Sequence, residues 1–262
     1  MNAMTDKTLK GIRVNAEPGT SPVRIDGQET IPALLRARCR ENGDATAHRE
    51  KDLGIWQAYS WNDYLHHVRL IGMGLRALGL ERGDVISILS EDNREWMYCD
   101  MAAQCMGAIS SGVYTTDSAS QLAYLVNDSQ TKFLFVENEE QLDKYLEVEN
   151  QMPSLVKVII FDPEGLHDFD NDRCMFLSDL YDLGRQNDDE ALFNAEIDAV
   201  TRDSTAVLIY TSGTTGNPKG VMLTQENIVA GMETSLYSLP FEKHAEQLCF
   251  LPLCHILERI VS

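Results

Sequence analysis

No apolar run in this chain of 262 residues approaches the roughly 20 needed to cross a bilayer, and its first ten residues lack the hydrophobic core of a secretory signal. The expectation is an intracellular, cytoplasmic protein. Positive charge is also scarce: 22 Lys and Arg stand against 41 Asp and Glu, a net charge of −19. Nucleic acid is thereby disfavoured as the main partner, because phosphate backbones are held by clustered cations. The six cysteines contain no C-x-x-C pair and match no zinc-ligand spacing, so reduced, mostly buried thiols are expected. No internal repeat and no long Pro- or Ser-rich linker divides the chain.

What is present has the composition of a globular protein, 44% hydrophobic and 24% charged, and is long enough to bury a sizeable core. The acidity is local. Residues 137–203 carry nineteen acids and five bases, and this stretch reads as a solvated face. Elsewhere, short apolar runs alternate with segments of helical period. Ser60 and Asp63 form a capping-box pattern ahead of Tyr64, Val68, Ile71, Leu75 and Leu78, with Gly79 as the stop. Strands are expected over residues 84–89, 108–114, 132–136, 156–161 and 205–210, and helices over 93–106, 118–126 and 139–148. Residues 162–203 read as an irregular connection with a short helical pattern over 176–183. Alternation of this kind demands crossover connections, hence an α/β fold with a largely parallel sheet covered by helices on both faces.

The last expected strand runs directly into Thr211-Ser212-Gly213-Thr214-Thr215-Gly216-Asn217-Pro218-Lys219-Gly220. Hydroxyls, three glycines and one lysine are the parts of a phosphate loop. Glycines let backbone N–H groups approach an anion, hydroxyls add donors, and Lys219 brings a full charge. A Walker A loop is excluded, because Pro218 stands where its second glycine belongs and Gly220 where it needs a hydroxyl. The G-x-G-x-x-G dinucleotide fingerprint is absent from this loop as well. An ordinary flexible Gly/Ser/Thr loop is the competing interpretation, though a ten-residue string in this order is far more specific than a lone glycine-rich turn.

The string YTSGTTGNPKGVMLTQENI resembles the signature of the adenylate-forming superfamily, which includes acyl-CoA synthetases, peptide-synthetase adenylation domains and luciferases. About forty residues later, Leu251-Pro252-Leu253-Cys254-His255-Ile256-Leu257-Glu258-Arg259 is similar to the P-L-x-H motif of that family. Its trailing Glu-Arg, the upstream string from Ser90 to Trp96 and Gly112-Val113-Tyr114-Thr115-Thr116 resemble the long-chain fatty acyl-CoA synthetases in particular. The resemblance implies a ligase that uses ATP and Mg²⁺ to turn a fatty acid into an acyl adenylate and then passes the acyl group to coenzyme A. It implies that Thr211, Ser212, Gly213, Thr214, Thr215, Gly216 and Lys219 hold the β and γ phosphates. Lys219 would neutralise departing pyrophosphate, Thr211 would help hold Mg²⁺, and His255 would position and shield the acyl carboxylate. Peripheral contact with a membrane is compatible with such a substrate.

On the same resemblance, residues 1–30 are an N-terminal extension and residues 31–262 an incomplete AMP-binding domain. The aromatic-Gly-x-Thr-Glu string, the ribose-binding Asp and the lid domain with its lysine are not in the sequence. The expectation is therefore that the chain alone is catalytically incompetent. Activation of another carboxylate, aryl or amino acid, and a non-catalytic nucleotide-binding module remain as alternatives. Arg259 fits a structural ion pair as well as a site role. The Met and aromatic residues of 61–106, including Trp96 and Met97, fit core better than an acyl tunnel.

Overall fold

The computed structural model describes residues 23–211, 217–238 and 246–261, with two short paired strands before them, β1 (Thr8–Leu9) and β2 (Ile12–Arg13). Helix α1 (Ile31–Asn42) starts at Thr30, whose hydroxyl accepts from the Ala33 N–H. An antiparallel hairpin of β3 (Thr46–Asp52) and β4 (Ile55–Ser60) follows. Ser60 then opens α2 (Trp61–Ala77) through the expected capping box with Asp63.

The main sheet is built from β5 (Val85–Leu89), β6 (Ile109–Val113), β7 (Phe133–Val136), β8 (Lys157–Ile160), β9 (Cys174–Phe176), β10 (Thr205–Thr211) and β11 (Lys219–Thr224). Their order is β11-β10-β6-β5-β7-β8-β9, and only the β10–β11 pair is antiparallel. Every residue of β5 and of β7 is buried. That is what a parallel strand covered on both faces requires.

Successive side chains of a strand point to opposite faces, so the sheet feeds two cores. Ile86, Ile88, Phe133 and Phe135 pack with α2 and with α3 (Arg94–Cys105). Leu89, Leu134 and Val136 pack with α4 (Ala119–Ser129) and α5 (Glu139–Val148). Trp96 is 1% exposed within the first core, as its helical spacing suggests.

The stretch expected to be irregular is more ordered than its sequence pattern. It contains β9, α6 (Leu177–Gln186) and α7 (Glu190–Asp198). Helix α6 lies so close to α2 that a Cβ on Gly184 would stand 2.1 Å from the Leu70 carbonyl oxygen. Nor is the acidic stretch merely a solvated face. Arg69 pairs with Asp188 and Glu190 at 3.0 and 2.9 Å, Arg76 and Arg82 with Glu196 at 2.7 and 2.5 Å, and Arg36 with Asp198 at 2.5 Å. Acids and arginines more than a hundred residues apart thus dock α7 on α1, α2 and the turn after it.

The β3–β4 hairpin is held to the body by rings. His48 stacks on Tyr59 with centroids 5.1 Å apart, and its Nε2 lies 3.0 Å from the Tyr98 hydroxyl. The His67 ring stacks on the other side of this cluster, 4.8 Å from that of Tyr98. Burial, with the Arg94 charge adding to it, pushes the His48 imidazole down to about 4. Burial also lowers His67. The chain closes with α8 (Gln225–Ser238) and α9 (Ile256–Val261).

Candidate functional site

Parallel strands present all their carboxyl ends at one edge, and ligands of open α/β sheets bind outside that edge. Here the edge collects the residues after β5, β6 and β7 together with the loop after β10. The two sequence motifs meet there because β10 lies beside β6, with Leu208 opposite Ser111.

The phosphate-type loop is the turn of the β10–β11 hairpin. Thr211 pairs with Lys219 across the ladder and Tyr210 with Gly220, so Thr211 and Lys219 flank the mouth of the loop, both exposed. Cross-strand partners project to the same face of a sheet, which places the hydroxyl and the ammonium on one side. Ser212, Gly213, Thr214, Thr215 and Gly216 lie outside the described residues. Helix α4 fixes the base of the loop at two points. The Tyr124 hydroxyl donates to the Pro218 carbonyl at 2.9 Å, and the Tyr210 hydroxyl donates to Asp128 at 2.7 Å. Burial and the Asp128 carboxylate push the Tyr210 phenol up, keeping it a donor throughout the physiological range.

The P-L-x-H segment sits on the neighbouring strand end. Gly112 of β6 admits it: a Cβ there would lie 2.6 Å from Cys254 Cα and 3.3 Å from the Trp96 ring. Asp92, just past β5, accepts from the Leu253 N–H at 2.7 Å. Burial raises the Asp92 carboxyl above its usual range. His255 itself is exposed. Its Nδ1 accepts from the Leu257 N–H at 3.2 Å, so the imidazole caps the short helix α9 and the Nε2 proton is left facing outward.

Arg259 proves to be structural. Its side chain is 5% exposed, donates to Asp100 and to the Ser110 hydroxyl at 3.0 Å each, and lies 4.5 Å from the Trp96 ring centre. Burial lowers its pKa, and Asp100 opposes that shift. The polar chain continues inward. Gln104 donates to Asp100 at 3.0 Å, Gln225 donates to Gln104 at 3.2 Å, and Gln225 Oε1 accepts from the Ile31 N–H at 2.9 Å. The start of α1 and α8 are thereby tied to α3, β6 and α9.

Sequence reasoning missed Asp92, Tyr124, Asp128 and Asp100 as supports of the site. Asp92 stood in a motif already singled out, Ser90 to Trp96, but nothing local marks which of its polar residues turns toward residue 253. Among the described residues no group of three His, Cys, Asp or Glu side chains is placed to hold a metal ion, and no helix is long and apolar enough to cross a membrane. No disulfide joins any of the six cysteines, and Cys39, Cys99, Cys105 and Cys254 are buried.

Residues 35–262 match the model of the AMP-binding enzyme family. Among curated proteins, the long-chain-fatty-acid–CoA ligase ACSBG2 of Homo sapiens is 34% identical over 235 residues, 89% of this chain and 35% of that protein. The long-chain-fatty-acid–CoA ligase FadD15 of Mycobacterium tuberculosis is 30% identical over 244 residues, 92% of this chain and 39% of that protein. The chain thus spans little more than a third of these relatives' length. Among solved structures, the N-terminal domain of FACL13 from Mycobacterium tuberculosis superposes with a TM-score of 0.72 at 18% identity, covering 89% of this chain and 54% of that one. At that identity the likeness concerns the fold. Taken with the hairpin loop and the seated P-L-x-H segment, the family match over nearly the whole described chain establishes that this protein belongs to the AMP-binding enzyme family.

Proposed function

We propose that this segment is the phosphate-gripping part of an AMP-forming long-chain fatty acid–CoA ligase. The observation that carries the reading is the pairing of Thr211 with Lys219 at the mouth of the loop, on the sheet edge that also seats His255. The names of the sequence relatives support the substrate class.

Each chemical step has a place for these residues. A carboxylate oxygen attacks the α-phosphorus of ATP, an acyl–O–P bond forms, and pyrophosphate leaves with the bonding electrons. Negative charge grows on the leaving oxygens, where the Lys219 ammonium and N–H groups of the glycine-rich loop would lower the barrier by stabilising that charge. The Thr211 hydroxyl would add one ligand to Mg²⁺, which in nucleotide sites is held largely by phosphate oxygens and waters and supplies further charge neutralisation. His255 Nε2–H would hold the carboxylate by a hydrogen bond without transferring its proton. The coenzyme A thiolate then attacks the acyl carbon, and AMP departs.

The test is fatty-acid-dependent exchange of labelled pyrophosphate into ATP by the whole protein that carries this segment. Lys219→Ala is expected to lower the exchange rate by about 100-fold or more, the scale seen when one preorganised charge-stabilising donor is removed. An unchanged rate removes Lys219 from the mechanism. A panel of long-chain, aryl and amino acids in the same assay decides the carboxylate: exchange confined to the aryl or amino acids overturns the fatty-acid assignment.

A further inference from the structure

The outer half of the β3–β4 hairpin, residues 51–58, is exposed throughout. Polar side chains are the expectation for such a position. Instead the apex carries Leu53, Ile55 and Trp56, which are 96%, 64% and 58% exposed. Single exposed apolar residues are ordinary, but three within four positions form a patch.

The backbone makes Leu53 costlier still. Asp52 pairs with Ile55, so the turn has two central residues, Leu53 and Gly54, with φ of 44° and 84°. Two positive φ values are the pattern of a type I′ turn, whose first central position favours Asn, Asp or Gly. Gly54 meets that demand. A leucine in the left-handed region is an outlier, because its Cβ crowds the following carbonyl oxygen. At 96% exposure it has almost no packing among the described residues to offset the strain. Asparagine would relieve both the strain and the apolar exposure, so what the leucine gains lies outside the chain.

The side chains are also layered. Cross-strand partners share a face, so Lys51 stands beside Trp56, about 7 Å behind the apex. Arg49 is engaged by Glu246 at 2.5 Å, and on the other face Glu50 is turned to the body, where it pairs with Arg94 at 2.9 Å. Asp52 is the one acid at the tip, and Lys51 offsets its charge. From the apex inward the order is aliphatic, aromatic, cationic. A segment entering a bilayer meets acyl chain, interface and phosphate in that order, with a lysine stem lying along the apolar layer. A protein partner fits less well: a specific contact needs about 800 Å² on each side, far more than three apical side chains provide.

We propose that the hairpin apex docks on a phospholipid bilayer, with Leu53 and Ile55 entering the upper acyl region, Trp56 at the headgroup level and Lys51 on a lipid phosphate. The inference rests on the hairpin alone and does not depend on the ligase activity. A net charge of −19 makes anionic lipid unfavourable, so the surface that fits is a zwitterionic one.

Flotation of the 262-residue chain with phosphatidylcholine vesicles tests it. The expected result is binding that rises with lipid concentration and falls when phosphatidylserine replaces part of the phosphatidylcholine. Leu53→Asn is expected to weaken binding by about fivefold or more, the scale of withdrawing one aliphatic side chain from an apolar layer. The same variant is expected to melt at or above the wild-type temperature, because asparagine suits the turn. Trp56→Thr keeps a strand-forming residue and is expected to weaken binding to a similar extent. Absence of vesicle binding, tighter binding to the phosphatidylserine vesicles, or unchanged binding in either variant would overturn the proposal. So would a concentration-dependent dimer in sedimentation velocity that Leu53→Asn abolishes, because it would assign the apex to a second copy of the chain.

Discussion

The two ends of the sheet are held together by different physics. Around β5, β7 and β8 the strands are buried on both faces, and Ile86, Ile88, Phe133, Phe135, Val158 and Ile159 are inaccessible to solvent. Around β10, β11, α8 and α9, by contrast, Met222, Tyr237 and Leu257 are half or more exposed. Order there depends on directional polar contacts: Asp92 to Leu253, Arg259 to Asp100, Tyr124 to Pro218. Apolar packing is tolerant of direction and pools over many atoms, whereas a polar tie needs both of its partners. The phosphate-type loop and the P-L-x-H segment lie on the polar end, where backbone can be aimed at a ligand.

The most damaging test strikes the apolar end. Phe135→Ala removes a ring shared by the sheet and the first core, and is expected to cost about 4 kcal/mol in urea denaturation, with no second-site polar change able to restore it. A loss under about 1 kcal/mol would break the comparison.

Next comes the polar end. Arg259→Leu leaves the Asp100 carboxylate buried without its cation and is expected to cost about 3 kcal/mol. Adding Asp100→Asn should recover more than half of that, because the amide oxygen can still accept from Gln104 while the charge is gone. A double variant as unstable as the single one would mean that packing, not charge pairing, dominates there.

A third test uses pH. The unfolded chain protonates His48 near its ordinary value of 6.5, while the folded chain does so only at about 4. Between those values the unfolded state binds more protons, so stability falls as pH drops through the window. Solvent reaches the half-buried ring, so a loss of about 1–2 kcal/mol is expected between pH 7 and 4.5. His48→Phe should flatten that slope in denaturation curves at the two pH values, and an unchanged slope would place the acid sensitivity elsewhere.

The smallest effect is expected at the loop base. Tyr124→Phe removes one hydrogen bond to a half-buried carbonyl and should lower stability by about 1 kcal/mol in thermal melting. The same variant should weaken MgATP binding in calorimetric titration if α4 holds the loop in its binding shape. An unaltered affinity would show the loop to be shaped independently of α4.

Much of the alternating pattern was legible because local rules and the fold agree. Ser60, Asn93, Ser118 and Asn138 all cap helices, and the strand runs of β5, β7 and β8 are mostly apolar, interrupted only by Ser87 and Lys157. The stretch 162–203 was legible only in its short helical pattern over 176–183, which is α6. Its helices are short, α7 carries acids whose partners are arginines of α1, α2 and the following turn, and those partners exist only after folding. The motif residues Thr211, Lys219 and His255 were readable from their neighbours in sequence, but Asp92, Tyr124 and Asp100 were not, since each acts on a residue at least 94 positions away or supports one that does.

The sequence by itself therefore determined the alternation of strand and helix, the parallel sheet and the residue make-up of the loop, because periodicity, caps and residue type are short-range properties. Only the tertiary structure decided the strand order that brings β10 beside β6, the hairpin register that sets Thr211 opposite Lys219, and the seating of the Leu253 N–H on Asp92. Those outcomes depend on which distant surfaces are buried together, and that is settled by the balance of the whole core rather than by any one segment.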